Sequence, residues 1–277
     1  MKIKVANTGG FCMGVNRALN MVLDIIDKGG VVTTYGPLIH NRHVIEMLKS
    51  RGVYAQTDYS KIPKGEIIIR AHGAPISEIK NLKAHGFEII DGTCPRVKSS
   101  HNKIRWAAAR GAQIIIAGDH NHDEVIGLQG QADGRCIVVS SLEEFKALKS
   151  HNGFVVLLAQ TTFSILEYEK IKKECLMRYA RSKILNTICS ATEKRQEEVV
   201  LLAKSCDAII VVGGYDSANT CRLAEIARSS HVPTFHVESK SEIKRDEIRE
   251  FETVGVTGGA STPPWIIKEV VHFLSAL

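Results

Sequence analysis

The chain has 277 residues, 44% of them hydrophobic and 24% charged, which is typical of a soluble enzyme with room for two or three small modules. Its net charge of +6 is spread without a polybasic block, which argues against a nucleic-acid groove. That charge is compatible with an anionic small substrate, an acidic protein partner or a mixed solvated surface. No apolar run is long enough to cross a membrane and no signal peptide is apparent, so we expect a cytoplasmic protein that binds neither membrane nor nucleic acid.

Short apolar runs alternate with amphipathic stretches, which predicts stacked β-α units with parallel sheets. We predict nine strands, at 2–7, 66–71, 87–91, 113–118, 136–139, 154–159, 183–188, 208–214 and 253–259. We predict nine helices, which begin near Val15, His43, Ser77, Val97, Leu142, Ser164, Ala191, Ser217 and Pro263. Helix-capping side chains are expected at Ser77, Ser141, Ser164 and Thr262.

Three of the seven cysteines share one position in these units. Cys12, Cys94 and Cys189 each follow a predicted strand and precede a predicted helix. A helix N-terminus favours thiolate, the form that ligates metals, and ligands bind at the carboxyl ends of strands in open α/β sheets. An odd cysteine count without an export signal or a CxxC pair argues against a disulfide framework and against a compact zinc ribbon. We therefore predict one metal site built from distant segments, and structural roles for Cys136, Cys175, Cys206 and Cys221.

Further polar groups follow the predicted strands. They are neutral hydrogen-bond donors and glycine N–H groups rather than lysines or arginines, a composition suited to a phosphate or diphosphate cradle. The turn VGGYDSAN matches neither GxGxxG nor a P-loop, so a nucleotide is not indicated. Ordinary capping and turn chemistry is the alternative for each residue. The residues concerned include His40, His72, Gln160, Thr161, Thr162, Ser217, Asn219, Ser261 and Thr262.

The segment His122-Asp123-Glu124 has several possible uses. His122 and Glu124 could relay protons as a pair. They could instead ligate a metal, although HxE on a loop is a weak metal signal without partners, or form a solvated acidic turn.

Nine motifs in register carry a family resemblance over almost the whole chain. They are GGFCMGVNRA, GPLIHNRHVIEMLKSRGV, IIIRAHGAP, DGTCPRVK, GDHNHDEVIG, AQTTFS, NTICSATEKRQEEV, GGYDSANTCRLAEI and TGGASTPPWII. Together they resemble the 4-hydroxy-3-methylbut-2-enyl diphosphate reductase (LytB/IspH) family, the last enzymes of the non-mevalonate isoprenoid pathway.

The resemblance implies one [4Fe-4S] cluster per chain, held by Cys12, Cys94 and Cys189, with one iron open to the substrate hydroxyl. It implies reductive dehydroxylation of an allylic diphosphate to isopentenyl and dimethylallyl diphosphates, with electrons from a ferredoxin or flavodoxin. Glu124 matches the family's proton-delivery acid, with Thr161 and His122 beside it as catalytic residues. The substrate-binding positions matched are His40, His72, His122, Thr161, Ser217, Ala218, Asn219 and Ser261.

The resemblance also implies an architecture of three small α/β modules with mostly parallel sheets, in a pseudo-threefold trefoil around a central iron–sulfur cluster. We expect modules at 13–94, 95–189 and 190–277, with the N-terminal strand segment 1–12 joining the third beside TVGVTGG.

This chain departs from the family pattern at three positions. Ala218 replaces a second serine, which removes one potential hydrogen bond to the diphosphate. Asp123 replaces a proline, and we expect it to loosen its loop and raise the pKa of Glu124. Gly92 replaces an alanine, and we expect little effect.

Two other functions stay open on residue chemistry alone. A zinc-dependent lyase or hydrolase could use the three cysteines and a water, and would be colourless. A non-catalytic iron–sulfur sensor would have no need of Glu124.

Overall fold

A computed structural model describes residues 1–63, 65–132 and 135–277. In that part of the chain twelve strands form three four-stranded sheets, and every strand pairing is parallel. The strands are β1 Lys2–Val5, β2 Val32–Tyr35, β3 Tyr54–Gln56, β4 Glu66–Ile69, β5 Glu88–Asp91, β6 Gln113–Ala117, β7 Cys136–Val139, β8 Val155–Ala159, β9 Ser182–Leu185, β10 Ala208–Val212, β11 Thr234–Val237 and β12 Thr253–Gly258. The predicted α/β class with parallel sheets is confirmed.

Helices connect the strands in the described part of the chain. They are α1 Met13–Asp27, α2 Arg42–Ser50, α3 Ile76–Ala84, α4 Pro95–Ala108, α5 Asp123–Gln129, α6 Leu142–Lys146, α7 Ile165–Arg178, α8 Ser190–Ala203, α9 Ala218–Ser229, α10 Arg245–Ile248 and α11 Pro264–Ser275. Short 3-10 turns lie at Tyr59–Lys61 and Lys240–Glu242.

The chain divides into two compact units. The first comprises residues 1–16, 40–46 and 190–277, and the second comprises residues 17–39 and 47–189. The first unit holds the sheet of order β1-β12-β10-β11, in which Lys2 pairs with Thr253. The N-terminal strand thus joins a C-terminal sheet, as the sequence predicted. Apolar side chains of α11 cover one face of this sheet, and those of α8 and α9 cover the other.

The second unit contains two sheets, of orders β3-β2-β4-β5 and β7-β6-β8-β9. Ile114, Ile115 and Ile116 of β6 are fully buried because helices cover both faces of the second sheet. One face packs on α4 and α5, and the other on α6 and α7. Three fully buried isoleucines in a row are the pattern of a doubly covered parallel strand.

Each sheet draws its strands from one of the predicted modules, but the two compact units divide the chain differently. Residues 13–94 supply β2 to β5, residues 95–189 supply β6 to β9, and residues 190–277 supply β10 to β12. The module boundaries and the pseudo-threefold arrangement stay predictions.

All nine predicted strands occur, and all nine predicted helices begin within two residues of their predicted starts. Strands β2, β3 and β11 were not predicted because they are short and carry few consecutive apolar residues. Helices α5 and α10 were not predicted either, since each has at most two turns.

Two of the four predicted caps are confirmed. Ser141 and Ser164 accept hydrogen bonds from the first turns of α6 and α7. Ser77 lies inside α3, and Pro263 stands at the start of α11 in place of Thr262. The hydroxyl of Thr262 donates instead to the carbonyl of Val212.

Candidate active site

Glu124 lies in the first turn of α5, in the second unit, and its side chain is only 1% exposed. His122 is the N-cap of that helix, and its Nδ1 accepts a hydrogen bond from the Glu124 amide at 3.1 Å. The sequence placed this segment on a loop, which is wrong. Val125 and Leu128 pack α5 against the sheet, so the helix fixes the position of the carboxyl group.

Thr161 holds the carboxylate of Glu124 from the end of β8. Its amide and its hydroxyl each donate to one carboxylate oxygen at 2.7 Å. The pKa of Glu124 is raised to about 7, chiefly by burial, with a smaller increase from the charge of Asp119, and the two bonds from Thr161 oppose the shift. A carboxyl group with that pKa holds a proton in about half of the molecules near neutral pH, which suits a proton donor.

The same threonine also contacts the segment that carries a candidate metal ligand. The carbonyl of Thr161 accepts a hydrogen bond from the Cys189 amide at 2.9 Å. The neighbouring Gln160 is fully buried. Its side-chain oxygen accepts a hydrogen bond from the Asp119 amide at 2.8 Å, and its side-chain nitrogen donates to the Thr162 hydroxyl at 2.8 Å. The acid and the cysteine are therefore positioned from one strand end.

Asp123, in the first turn of α5, forms an ion pair with Arg70 of the turn after β4. Arg70 Nη1 and Asp123 Oδ2 are 2.5 Å apart, and both side chains are at least four-fifths buried. The expectation that Asp123 loosens its loop is therefore wrong. The raised pKa of Glu124 is confirmed, but burial and Asp119 cause the shift, because Arg70 neutralises Asp123.

Cys94 is the N-cap of α4 and is followed by Pro95 in the first helical position. Its amide donates to Ala71 at 2.9 Å, and its thiol is partly exposed. The guanidinium of Arg17 contacts the carbonyls of residues 91–93 just before it, at 3.3–3.4 Å. These contacts fix the backbone on the N-terminal side of the cysteine.

Gly92 lies two residues before Cys94, close to the backbone of Ile69 at the end of β4. A Cβ added there would lie 2.3 Å from the carbonyl oxygen of Ile69. The expectation that glycine in place of alanine matters little is wrong for this backbone, because a methyl group requires the strand-end turn to shift.

Cys12 lies in the first unit, directly before α1. The Val15 amide donates to its sulfur at 3.4 Å, and the Cys12 amide donates to Ala260 at 2.9 Å. A helix N-terminus that directs an N–H group at a sulfur is suited to a negatively charged ligand atom. The buried side chain of Arg195 donates to the Gly10 carbonyl at 2.8 Å and so supports the turn that carries the cysteine.

The other four cysteines differ from this group. Burial raises the pKa of Cys136 to about 12 and that of Cys175 to about 11, so both stay neutral thiols. Cys206 is buried in the core of the first unit, and Cys221 donates its S–H to the carbonyl of Tyr215 at 3.0 Å. None of the four combines partial exposure with a place at a helix start after a strand. Cys12, Cys94 and Cys189, in contrast, are partly exposed, and each lies directly before a helix.

The first unit also brings together a set of predicted diphosphate ligands. Ser217 is the N-cap of α9 and accepts from the Thr220 amide at 3.4 Å. The Ser261 hydroxyl lies 3.0 Å from the carbonyl of His40 and 3.3 Å from the Ser217 hydroxyl. Asn219 is 5% exposed, and neither polar atom of its side chain has a hydrogen-bond partner among the described residues.

That buried amide is costly without a partner, so its position indicates a place for a polar ligand. Ala218 is the first residue of α9, where a backbone N–H group points out of the helix end. The N-terminus of this 12-residue helix suits an anion.

In the second unit the imidazole rings of His72 and His122 meet edge to face, with centroids 5.5 Å apart. His72 follows β4 and His122 caps α5, so two different β-α connections bring these predicted ligands together. Both rings are partly exposed.

The sequence comparison identifies the family. Residues 3–275 match the family model described as LytB protein. The chain belongs to the LytB protein family. Relatives within it are named 4-hydroxy-3-methylbut-2-enyl diphosphate reductase. The one from Geobacter sulfurreducens is 39% identical over 98% of this chain and 96% of its own length, and the one from Nitratidesulfovibrio vulgaris is 40% identical over 100% of both. Because its relatives are reductases and match it over nearly their whole length, this LytB chain is an oxidoreductase.

Solved structures agree with the family assignment. An E-1-hydroxy-2-methyl-but-2-enyl-4-diphosphate reductase from Plasmodium falciparum is similar with a TM-score of 0.92 and 26% identity, over 99% of this LytB chain and 88% of that one. A second, described as the terminal enzyme of the non-mevalonate pathway, has a TM-score of 0.71 and 35% identity over 100% of both chains. No helix in the described part of the chain is long and apolar enough to cross a membrane.

Sequence reasoning overlooked two arginines that support the cysteine turns of this LytB chain. Arg17 and Arg195 both donate to backbone carbonyls near the candidate ligands. A signal for Arg195 is present, since positions 192, 195, 196 and 199 form the buried face of α8 and three of them are polar. Polar side chains at helical spacing on a buried face indicate contacts with other buried polar groups.

Proposed function

We propose that this chain reductively dehydroxylates (E)-4-hydroxy-3-methylbut-2-enyl diphosphate to isopentenyl and dimethylallyl diphosphates. The allylic C–O bond breaks, a C–H bond forms, and two electrons and two protons are consumed as one water leaves. The relatives' names support this substrate. Within the structure, the observation that carries the proposal is Glu124, a buried acid whose partner Thr161 also contacts the Cys189 backbone.

Cys12, Cys94 and Cys189 are the residues that would hold a [4Fe-4S] cluster. Their partial exposure and helix-start positions support this set over the other four cysteines. When bound, the cluster would supply the electrons and Lewis acidity for cleavage of the C–O bond.

Glu124 would deliver protons to the leaving oxygen and to the allylic carbon. Thr161 orients the carboxyl group through its hydroxyl, and burial keeps the group protonated in about half of the molecules near neutral pH. His122 accepts the Glu124 amide through Nδ1, so a neutral ring carries its proton on Nε2, where it can donate to substrate.

The diphosphate would be bound by neutral donors. Asn219 has an unused buried amide, and Ser217 and Ser261 lie beside it at the start of α9. Several hydrogen bonds can distribute the anion's charge without a buried lysine. The other members of the proposed cradle are His40, His72, His122, Thr161 and the backbone of Ala218.

The test is an anaerobic assay of the allylic diphosphate with reduced methyl viologen, paired with iron and sulfide counts. We expect brown protein, product formation, loss of iron in each of Cys12→Ser, Cys94→Ser and Cys189→Ser, and full iron content in Cys221→Ser. Glu124→Gln should keep the cluster and lose turnover by about 100-fold or more.

Three results would count against the proposal. A colourless zinc protein would favour the lyase or hydrolase alternative. Full turnover in Glu124→Gln would remove the assigned acid. An iron–sulfur protein with no turnover would favour the sensor.

A further inference from the structure

In the second unit, helix α4 and strand β9 contain basic residues and no acidic residue. Between Pro95 and Gly118 the sequence contains no aspartate or glutamate, and the same holds from Met177 to Thr192. The two stretches together contain eight cations, of which Arg178 lies in α7 and donates to the carbonyls of Phe145 and Lys146. The other seven are Arg96, Lys98, Lys103, Arg105, Arg110, Arg181 and Lys183. The basic residues are spread along the sequence, but the fold brings these two stretches close together.

Trp106 lies at the centre of this face. The guanidinium carbon of Arg110 is 4.5 Å from the centroid of its ring, and the Lys183 nitrogen is 4.6 Å from it. A groove of about 470 Å³ is lined by Ser99, Asn102, Lys103, Trp106, Lys183 and Leu185. We call the surface formed by Lys103, Trp106, Arg110 and Lys183 the α4–β9 face.

Other cations on α4 are already paired. Lys98 forms an ion pair with Asp91 at 2.7 Å, and Arg105 donates to the side chains of Asn102 and Gln131. Among the described residues, no carboxylate lies within ion-pair distance of Lys103, Arg110 or Lys183. The ring of Trp106 stabilises two of these cations in the free protein but does not neutralise them.

Clustered like charges raise the potential at the surface and attract an oppositely charged partner over a distance. The α4–β9 face also belongs to the elements that carry two proposed cluster ligands. Cys94 caps α4, and Cys189 lies four residues after the end of β9. A partner seated there would therefore contact the elements that lead to both cysteines.

We propose that the α4–β9 face is the docking surface for an acidic electron-transfer protein. The inference rests on the proposed function, which consumes two electrons per turnover and needs a reduced protein to supply them. Acidic side chains of the donor would pair with Lys103, Arg110 and Lys183, and Trp106 would supply the flat apolar centre of the contact.

The test replaces Lys103 and Lys183 together with glutamate. The matched control is Lys80→Glu with Lys83→Glu on α3, two exposed lysines that change the net charge by the same amount. Each protein is assayed with a reduced flavodoxin and, separately, with saturating reduced methyl viologen. Flavodoxin binding is measured by titration calorimetry at low and high salt.

We expect the α4–β9 variant to raise the KM for flavodoxin by about 10-fold or more, with turnover on methyl viologen within about twofold of the parent. The control should stay near the parent with both reductants. Salt should weaken flavodoxin binding to the parent and have less effect on the variant.

An equal effect of both variant pairs, or none from either, would overturn the proposal. Loss of turnover with both reductants would point to a structural role for the two lysines instead. If the parent shows no reductase activity at all, the proposed function fails, while the calorimetry still decides whether the face binds flavodoxin. Binding of a single-stranded RNA that is lost in the variant, with flavodoxin binding unchanged, would assign the face to nucleic acid.

Discussion

Thr161 donates its amide and its hydroxyl to the two carboxylate oxygens of Glu124, each at 2.7 Å. Both bonds favour the charged form and so oppose the effect of burial on the pKa of Glu124. The pKa of about 7 is therefore a balance in which burial and the charge of Asp119 raise the value and Thr161 lowers it. Changing Thr161 alters that balance in a known direction.

Replacement of Thr161 by valine removes one of the bonds to the charged form, so the pKa of Glu124 rises above about 7. If the protonated acid is the active form, kcat/KM falls as the pH rises through that pKa. We expect this alkaline limb to move to higher pH in Thr161→Val and to stay in place in Thr161→Ser, which keeps the hydroxyl. A shift to lower pH, or equal shifts in the two variants, would contradict the assignment.

The same pKa has a consequence for stability. Glu124 titrates at about 7 in the folded state and near its ordinary 4.5 when unfolded, so the unfolded state loses its proton first. Its contribution to the free energy of unfolding falls between these values and is constant above them. We expect the free energy of unfolding of Glu124→Gln to depend less on pH than that of the parent over this range. Thermal denaturation of both proteins across the range measures the difference, and parallel curves would refute it.

Asp123 and Arg70 join α5 to the turn after β4. We expect Asp123→Asn to lower the free energy of unfolding by about 1.5–3 kcal/mol, because the largely buried guanidinium loses a charged partner. Asp123→Pro should also destabilise, although proline suits a first helical position. Neither should move the alkaline limb to higher pH, because both changes leave the Arg70 cation unpaired, and a nearby positive charge lowers the pKa of a carboxyl group. Chemical denaturation and pH–rate profiles test both statements.

A double-mutant cycle with Arg70→Gln provides the control. If the two side chains act as a pair, the double variant should lose less stability than the sum of the single losses. Additive losses would mean that the ion pair does not couple the two segments.

Much of this fold follows from local pattern, whereas the site depends on contacts between distant segments. Several of the nine predicted strands have continuous apolar runs, such as Ile114 to Ile116, since burial on both faces leaves that signature in sequence. Strand β3 is only three residues long, and its first two residues are exposed, so no such signature exists. Helix α5 has only seven residues, and its position depends on the His122 cap and on the packing of Val125 and Leu128.

The cysteine positions were visible as a repeated strand–Cys–helix order, but the role of Asp123 was not. Its partner Arg70 lies 53 residues away, and only the fold brings the two together. Without that partner the aspartate was interpreted as a free charge beside Glu124. The effect of Gly92 was also hidden, because the obstacle is a backbone oxygen on a neighbouring strand.

Substitution of Gly92 tests its close approach to the Ile69 carbonyl oxygen. A methyl group at position 92 would lie 2.3 Å from the Ile69 oxygen, so Gly92→Ala must displace the turn before Cys94. We expect a loss of about 1–3 kcal/mol in the free energy of unfolding and a lower iron content. Gly127→Ala, inside α5, provides the control, because its backbone is helical and the nearest atom outside its own helix would lie 3.4 Å from the added Cβ. Equal iron content in Gly92→Ala and the parent would show that the turn adapts.

Substitution of Ala218 by serine tests the proposed diphosphate cradle, because it adds a hydroxyl group. It is the first residue of α9, between Ser217 and the buried, unpartnered amide of Asn219. A serine hydroxyl there can donate to the anion, and a hydrogen bond to a charged group contributes about 1.5 kcal/mol, or about tenfold in affinity. We therefore expect Ala218→Ser to lower the KM for the diphosphate by up to about tenfold with little change in kcat.

Ala218→Val adds two methyl carbons and no hydrogen-bond donor, and it should raise the KM. Inorganic diphosphate, used as a competitive inhibitor, separates anion binding from turnover, and its inhibition constant should follow the same order across the three proteins. If serine and valine shift that constant equally, the side chain at position 218 does not face the anion. The start of α9 would then bind the diphosphate through backbone N–H groups alone.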